Sequence, residues 1–387
     1  SIIINRGKSG SLMYKNNSDN YSRIFNLIYK NDKIAKQEIA LRLNLSLPTV
    51  SSNLMELKKN KLIRIGGKFE SQVGRRAAAY SVSVNAYISI GMEIFKKNVT
   101  VSALNLNGKE IATDTVKISY SNSDDYFEKI AEWIKVFIKN NKLDNKNILG
   151  IGMGVQGLVS HDGQTVLWGK ILEASGLKTE SLEKYLPYPV LFYHDADCVA
   201  AAEQFLTNSH MDTTYLSIGE HLGTAIVINN RIYSGENGRS GTMEHITLNT
   251  HSNRVCYCGR RGCIETYCSM SSLLNNDESI DEFMGNLKDG NNDIQKRWND
   301  YLDFLAEAIN NLHMFLDNRL VIAGELTRYL DNSVIEDLDH RVKNISAFPE
   351  DHSYLSLGVV DARPVAIGAA IPRIEEFVEN VLDRGNA

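Results

Sequence analysis

The sequence predicts an N-terminal winged helix-turn-helix over residues 1–84, followed by a two-lobed α/β body over residues 85–387. Three observations predict it. Charge divides the chain: residues 1–84 hold 15 Lys+Arg against 5 Asp+Glu, a net of +10, while the remainder holds 27 against 42, a net of −15. Residues 18–82 carry three helical periodicities and then two short strand patterns. Beyond about residue 86, apolar strands alternate with amphipathic helices, the pattern of layered α/β architecture.

Composition bounds the rest. The chain has 387 residues, 43% hydrophobic and 23% charged, with 6 prolines and a net charge of −5. So apolar and weakly charged a chain is not mainly disordered, and it is long enough for more than one core. No run approaches the ~20 apolar residues of a membrane helix. Ser1 to Asn17 are polar and lack an apolar signal core, so no export signal and a cytoplasmic location are expected. Of five cysteines, three fall within eight positions, which points to metal ligation in a reducing compartment rather than a disulfide framework.

In the basic head, Ser18 is the expected cap of a first helix in which Ile24, Leu27 and Ile28 recur at helical spacing. A second helix carries Ile39, Ala40 and Leu43 and stops in the turn Asn44-Leu45-Ser46. Ser46 then caps a third, with Pro48 tolerated in its first turn, where the N–H groups lack helical partners. Val50, Leu54 and Leu57 define its buried face; Thr49, Ser52 and Asn53 are left to enter a major groove. Leu62–Ile65 and Tyr80–Val84 read as the strands of a wing whose tip carries Arg75 and Arg76, placed for phosphates or a narrow minor groove. A basic face that merely solubilises, or a winged helix that binds protein, is the alternative. The net of +10 and the paired arginines favour double-stranded DNA.

In the body, Tyr87–Gly91, Val99–Leu104, Asn147–Met153, Val190–Tyr193, Thr214–Ile218 and Leu320–Ala323 read as strands. Helices are expected over Ser123–Asn140, 196–206, 296–315 and 366–383. One lobe is taken as 85–196 with 366–387, the other as 197–365. Gly152-Met153-Gly154-Val155-Gln156-Gly157 fits G-x-G-x-x-G after a strand, but Leu158–Gly163 continues as strand and turn. A dinucleotide site needs those glycines to open a helix, so the run is read as a loop lining another cleft.

The sharpest signal is Cys256-Tyr257-Cys258-Gly259-Arg260-Arg261-Gly262-Cys263, preceded by His245. Three thiolates and an imidazole complete a tetrahedral Zn2+ shell, leaving no open position for an activated water, so the metal is expected to be structural. His251 is a competing ligand by spacing alone. Cys198 and Cys268 read as ordinary buried thiols.

Together with Gly238–His245, Ile264-Glu265, Tyr193–Asp197, Leu216–Gly219, Ile226–Asn229 and Gly152–Gly157, this segment resembles the signature of the ROK family of repressors, open reading frames and sugar kinases. The resemblance spans residues 87 to about 380, and a preceding winged head is the arrangement of the family's repressors. It implies an actin-like ATPase fold with a sugar between two lobes. It further implies that His245 both ligates zinc and lies against the sugar, and that Cys256, Cys258 and Cys263 are the other ligands. Glu265 corresponds to a carboxylate that hydrogen-bonds sugar hydroxyls, and Asp195, beside His194, to the base of the kinases.

Several positions depart from the kinase pattern. The phosphate loop Asp-x-Gly-Gly-Thr is Ser89-Ile90-Gly91-Met92-Glu93, and the second, Gly-Thr-Gly-x-Gly-x-Gly, is Gly219-Glu220-His221-Leu222-Gly223-Thr224-Ala225. Each brings a carboxylate to where phosphate oxygens should meet backbone N–H groups. Thr242 replaces a family glutamate, Glu244 a glycine, His194 an asparagine and Gln156 a proline. The expectation is therefore a non-enzymatic, sugar-responsive regulator in which Asp195 is a vestigial base. Its partners would be operator DNA, a sugar or sugar-phosphate effector held by His194, Asp195, His245 and Glu265, and a second or further copies of itself as homodimer or homotetramer. The alternatives are an ATP-dependent hexose or N-acetylhexosamine kinase with an appended head, and a scaffold that has lost its ligand.

Overall fold

Tyr21, Ile24, Phe25 and Ile28 recur on one helical face, and all four are buried. They belong to the first helix of a computed structural model that describes residues 16–68, 78–349 and 353–381. This helix, α1, is described from Asn16 to Tyr29, so Ser18 lies inside it rather than at its cap. A two-residue strand β1 (Ile34–Ala35) leads into α2 (Lys36–Leu43). Asn44 ends α2 in the left-handed conformation, and Ser46, accepting from the Thr49 N–H at 3.2 Å, starts α3 (Leu47–Lys59). Strands β2 (Ile63–Lys68) and β3 (Ala78–Val82) complete a three-stranded sheet ordered β1-β3-β2.

The body repeats one sheet design twice. Antiparallel β4 (Ile88–Ile94), β5 (Asn98–Asn105) and β6 (Glu110–Lys117) form a meander. Helix α4 (Asp124–Asn140), capped by the Ser123 hydroxyl, returns the chain to β7 (Ile148–Val155), parallel to β4. After a small hairpin, β8 (Leu158–Val159) and β9 (Val166–Trp168), and the short α5 (Glu180–Glu183), β10 (Val190–His194) adds parallel to β7. Gly157 thus leads into a hairpin and no helix opens after the glycine-rich run.

Helix α6 (Asp195–Thr207) carries the chain to the second sheet. There β11 (Thr213–Ile218), β12 (Leu222–Ile228) and β13 (Arg231–Ile232) form the meander. Four helices follow: α7 (Glu265–Cys268), α8 (Met270–Leu273), α9 (Ile280–Lys288) and α10 (Asn292–Leu316). β14 (Arg319–Ala323) then pairs parallel to β11, and after α11 (Asn332–Ile345), β15 (Leu355–Leu357) pairs parallel to β14. The orders β10-β7-β4-β5-β6 and β15-β14-β11-β12-β13 are therefore the same.

The last helix, α12 (Pro364–Glu379), ties the parts together. It packs on β4 and β7 and crosses α6. The crossing is so close that a Cβ on Gly368 would lie 1.7 Å from the Cys198 carbonyl oxygen, and one on Gly91 would lie 1.8 Å from that of Ala366. The head sits on the same helix. Phe25 meets Phe377 edge-on at 6.2 Å between ring centroids, Ser22 donates to the Val381 carbonyl, and Tyr29 donates to the Leu106 carbonyl. One apolar cluster runs from Ile24 and Leu54 in the head through Leu104 to Ala201, Ile371 and Ile374 in the body. Among the described residues, no helix is long and apolar enough to cross a membrane.

Candidate functional site

A cavity of about 350 Å³ opens where α6, the β11–β12 turn and the loop before α7 meet. Asp195 is the first residue of α6, where its charge suits the positive end of the helix dipole. Its Oδ1 accepts from the Ala196 N–H at 2.8 Å and lies 3.3 Å from His194 Nε2. Burial opposes a charge on His194, but Asp195, Asp197 and Glu244 outweigh it and raise its pKa above the ordinary imidazole value. Burial also pushes the Asp197 carboxyl up to about 6, against the pull of His194.

That shift has a testable sign. A raised carboxyl stabilises the native state fully below its ordinary value and loses this as pH rises through about 6. Asp197→Asn is therefore expected to stabilise the chain at pH 8 by up to about 1 kcal/mol, since the side chain keeps some solvent screening, and to change little at pH 4. Urea midpoints at both pH values check this; an equal gain at both would contradict it.

Glu265 opens α7 and is buried. Its Oε1 is 2.7 Å from His221 Nδ1, and its Oε2 accepts from the Leu222 N–H at 2.8 Å. Burial resists a charge on His221, but the Glu265 bond and charge raise its pKa overall. Gly223, whose Cβ would lie 2.9 Å from that of Ala196, lets this turn rest on the start of α6. His221, His245, Trp168 and Tyr257 surround the cavity with rings, at centroid spacings of 5.1 to 6.3 Å. A ring-walled cavity with a few convergent polar groups suits a small polar ligand that also has apolar faces.

His245 ends a 3₁₀ turn, Met243–His245. Its Nδ1 is 3.7 Å from Cys256 Sγ, and Cys258 Sγ is 3.8 Å from Cys263 Sγ. The four ligand atoms all lie within 4.8 Å of one another, and this group can hold a metal ion. The spacing fits the chemistry: metal–sulfur bonds of ~2.3 Å in a tetrahedron give sulfur–sulfur edges of roughly 3.8 Å, far longer than a disulfide bond. Gly262, at φ 73°, makes the loop possible, because a Cβ there would lie 1.9 Å from the Asn249 carbonyl oxygen. His251 is exposed and outside the group. Burial lowers the pKa of His245 and pushes the carboxyl of Glu244 up to about 7.

The cavity therefore collects His194, Asp195 and His245. Glu265 stands behind it, with both oxygens already paired. The reading from residue spacing missed His221, Trp168 and Tyr257 as its walls. On the head, Ser52 is exposed, while Thr49 and Asn53 are half-buried and bonded locally: Thr49 Oγ1 to Oγ of the cap Ser46 at 2.8 Å, Asn53 Nδ2 to the Thr49 carbonyl at 2.9 Å. The stripe opposite Val50, Leu54 and Leu57 is Pro48, Ser52, Met55 and Lys59, all exposed. Helical spacing alone puts Met55 on this stripe. Arg75 and Arg76 lie outside the described residues. Burial, and then the nearby carboxyls of Glu325 and Asp195, raise the pKa of Glu93 well above the ordinary carboxyl value.

The ROK family matches residues 89–371, and a winged helix-turn-helix DNA-binding family matches residues 22–64. The xylose repressor of Bacillus subtilis (strain 168) is 30% identical over 255 residues, 64% of this chain and 65% of that protein. The DNA-binding transcriptional dual regulator NagC of Escherichia coli (strain K12) is 24% identical over 258 residues, 66% of this chain and 63% of that protein. The matched stretch thus spans slightly less than two thirds of these relatives' length. Among solved structures, a ROK family transcriptional regulator described as a homologue of the E. coli MLC protein has a TM-score of 0.75 at 19% identity, covering 94% of this chain and 97% of that one. A ROK family glucokinase from Streptomyces griseus, in complex with glucose and AMPPNP, has a TM-score of 0.63 at 18% identity, covering 73% and 98%. At these identities the likeness is one of fold: a winged head followed by an actin-like body.

Proposed function

The chain belongs to the ROK family, and from that premise we propose that it is a sugar-responsive transcriptional repressor whose body senses a sugar and whose head binds operator DNA. The observation that carries the reading is the seat of the head. Its core is continuous with α12, which crosses α6, whose first residue is Asp195 at the cavity. A ligand that favours one arrangement of α6 and α12 therefore biases the head, provided it binds the two arrangements with different affinity. The relatives named xylose repressor and NagC support a regulatory role and a sugar as effector.

In this reading Ser52 and the flanking Thr49 and Asn53 face base edges, with Arg75 and Arg76 on phosphate or minor groove. Two-fold operators match a homodimer or a pair of dimers. The body divides into lobes at 85–196 with 366–387 and at 197–365. His245, Cys256, Cys258 and Cys263 hold a structural zinc that cross-links the loop under the cavity. Glu93 and Glu220 disfavour a nucleotide triphosphate, so Asp195 binds a hydroxyl without a phosphoryl donor to serve.

The test is a mobility shift of the full chain on its own gene's upstream region at low salt, with and without xylose, glucose and N-acetylglucosamine. The expected result is a retarded complex whose affinity one sugar changes fivefold or more, with no ADP released from ATP and that sugar. No retardation on any upstream fragment, or sugar-dependent ADP release abolished by Asp195→Asn, would overturn it.

A further inference from the structure

We propose that Glu244 is the side chain that recognises the effector in this chain, accepting hydroxyl hydrogen bonds from an unphosphorylated polyol in the cavity; the proposal rests on the effector reading above. Two neighbouring candidates, Glu265 and Thr242, are already engaged within the protein. Glu265 gives one oxygen to His221 and the other to the Leu222 N–H. Thr242, standing where the family has a glutamate, donates its hydroxyl to the Arg239 carbonyl at 2.9 Å.

Glu244 is different. It replaces a glycine of the family pattern, lines the cavity, and is only 4% exposed. Its Oε2 has no hydrogen-bond partner among the described residues, and neither has the neighbouring His245 Nε2, 3.7 Å from Glu244 Oε1. The 3₁₀ turn Met243–His245 brings it inward. Glu244 thus lines the same cavity as Thr242, two positions before it in the chain.

A buried acceptor without a donor is costly, and a ligand that supplies one recovers that cost. Hydroxyl groups do so. A phosphate in place of a hydroxyl brings acceptor oxygens and removes the donor that Glu244 Oε2 lacks, leaving only the lining cations Arg239 and Arg260 to meet it. A site built on such an acceptor also rejects analogues lacking the hydroxyl far better than it senses shape.

Isothermal titration of the full chain with xylose, glucose, N-acetylglucosamine and glucose 6-phosphate tests this. Wild type is expected to bind one neutral sugar, Glu244→Gln to weaken it tenfold or more, and Asp195→Asn to weaken it too. Wild-type affinity in Glu244→Gln with loss in Asp195→Asn overturns this proposal and leaves the effector reading standing. No binding of any sugar by wild type overturns both, and preference for the phosphorylated sugar overturns the neutral-polyol assignment. If Glu244→Gln does not fold, Glu244→Asp is titrated with monodeoxy analogues of the bound sugar. One analogue is then expected to lose tenfold against wild type and nothing further against the variant; equal losses in both overturn the proposal.

Discussion

Serine in place of Cys258 is expected to lower the thermal midpoint by about 10 °C and to make the chain indifferent to chelators. The loop from His245 to Cys263 belongs to no helix or sheet of any length and is otherwise held by single hydrogen bonds, such as Leu248 N–H to the Gly262 carbonyl and Cys256 N–H to the Arg260 carbonyl. Cys256 and Cys263 are buried, but Val255 and Arg261, whose bridge closes the loop, are exposed, as is Gly259 at its tip. Without an ion, three thiols and an imidazole are crowded together with only weak sulfur hydrogen bonds between them. A metal ion held by these four atoms would fasten the turn carrying Glu244 and His245 to the segment carrying Glu265. Loss of one thiolate costs on the order of several kcal/mol, because metal affinity in such shells is folding free energy. The control separates metal from mere packing: a chelator should bring wild type down to the variant and leave the variant unmoved. A chelator that leaves the wild-type midpoint unchanged would mean that the cluster binds nothing structural.

Gly368→Ala is expected to cost about 3 kcal/mol, a fall of roughly 6 °C in midpoint, and to break the sugar response while the head still folds. The added methyl would lie 1.7 Å from the Cys198 carbonyl oxygen and 2.3 Å from its carbon. Both are backbone atoms of α6, so no side chain can swing aside. The helices must part, and α6 carries Asp195 while α12 carries the seat of the head. Circular dichroism melts and the sugar dependence of DNA affinity measure the two effects. A variant as stable and as responsive as wild type would show that this crossing carries neither.

The head was legible because local rules agree there. Val50, Leu54 and Leu57 recur with the helical period, Ser46 caps by its hydroxyl, and Asn44 takes the left-handed turn. Ser123 and α4 follow the same logic. The metal quartet was legible because thiols and glycines at that spacing have few other uses. Other features hide for physical reasons. Strand β6 is an edge strand, largely exposed, so it shows no clean apolar alternation. The repeat of the two sheets left no periodic mark, since each strand's residues answer to different neighbouring helices. Ser18 has the chemistry of a cap, yet the helix reaches back to Asn16. His221, Trp168 and Tyr257 come from three distant segments, and only the folded chain brings their rings to one cavity. Glu265 matched a motif, but its pairing with His221 depends on a turn 44 residues away.

The measurement that bears most directly on the account is sugar affinity in the presence and absence of saturating operator DNA. Coupling between two sites is reciprocal, so the factor by which the sugar changes DNA affinity must equal the factor by which DNA changes sugar affinity. Equal factors of fivefold or more are expected, both abolished in Gly368→Ala. Identical sugar affinity with and without DNA would contradict it, because cavity and head would then be two independent functions on one chain.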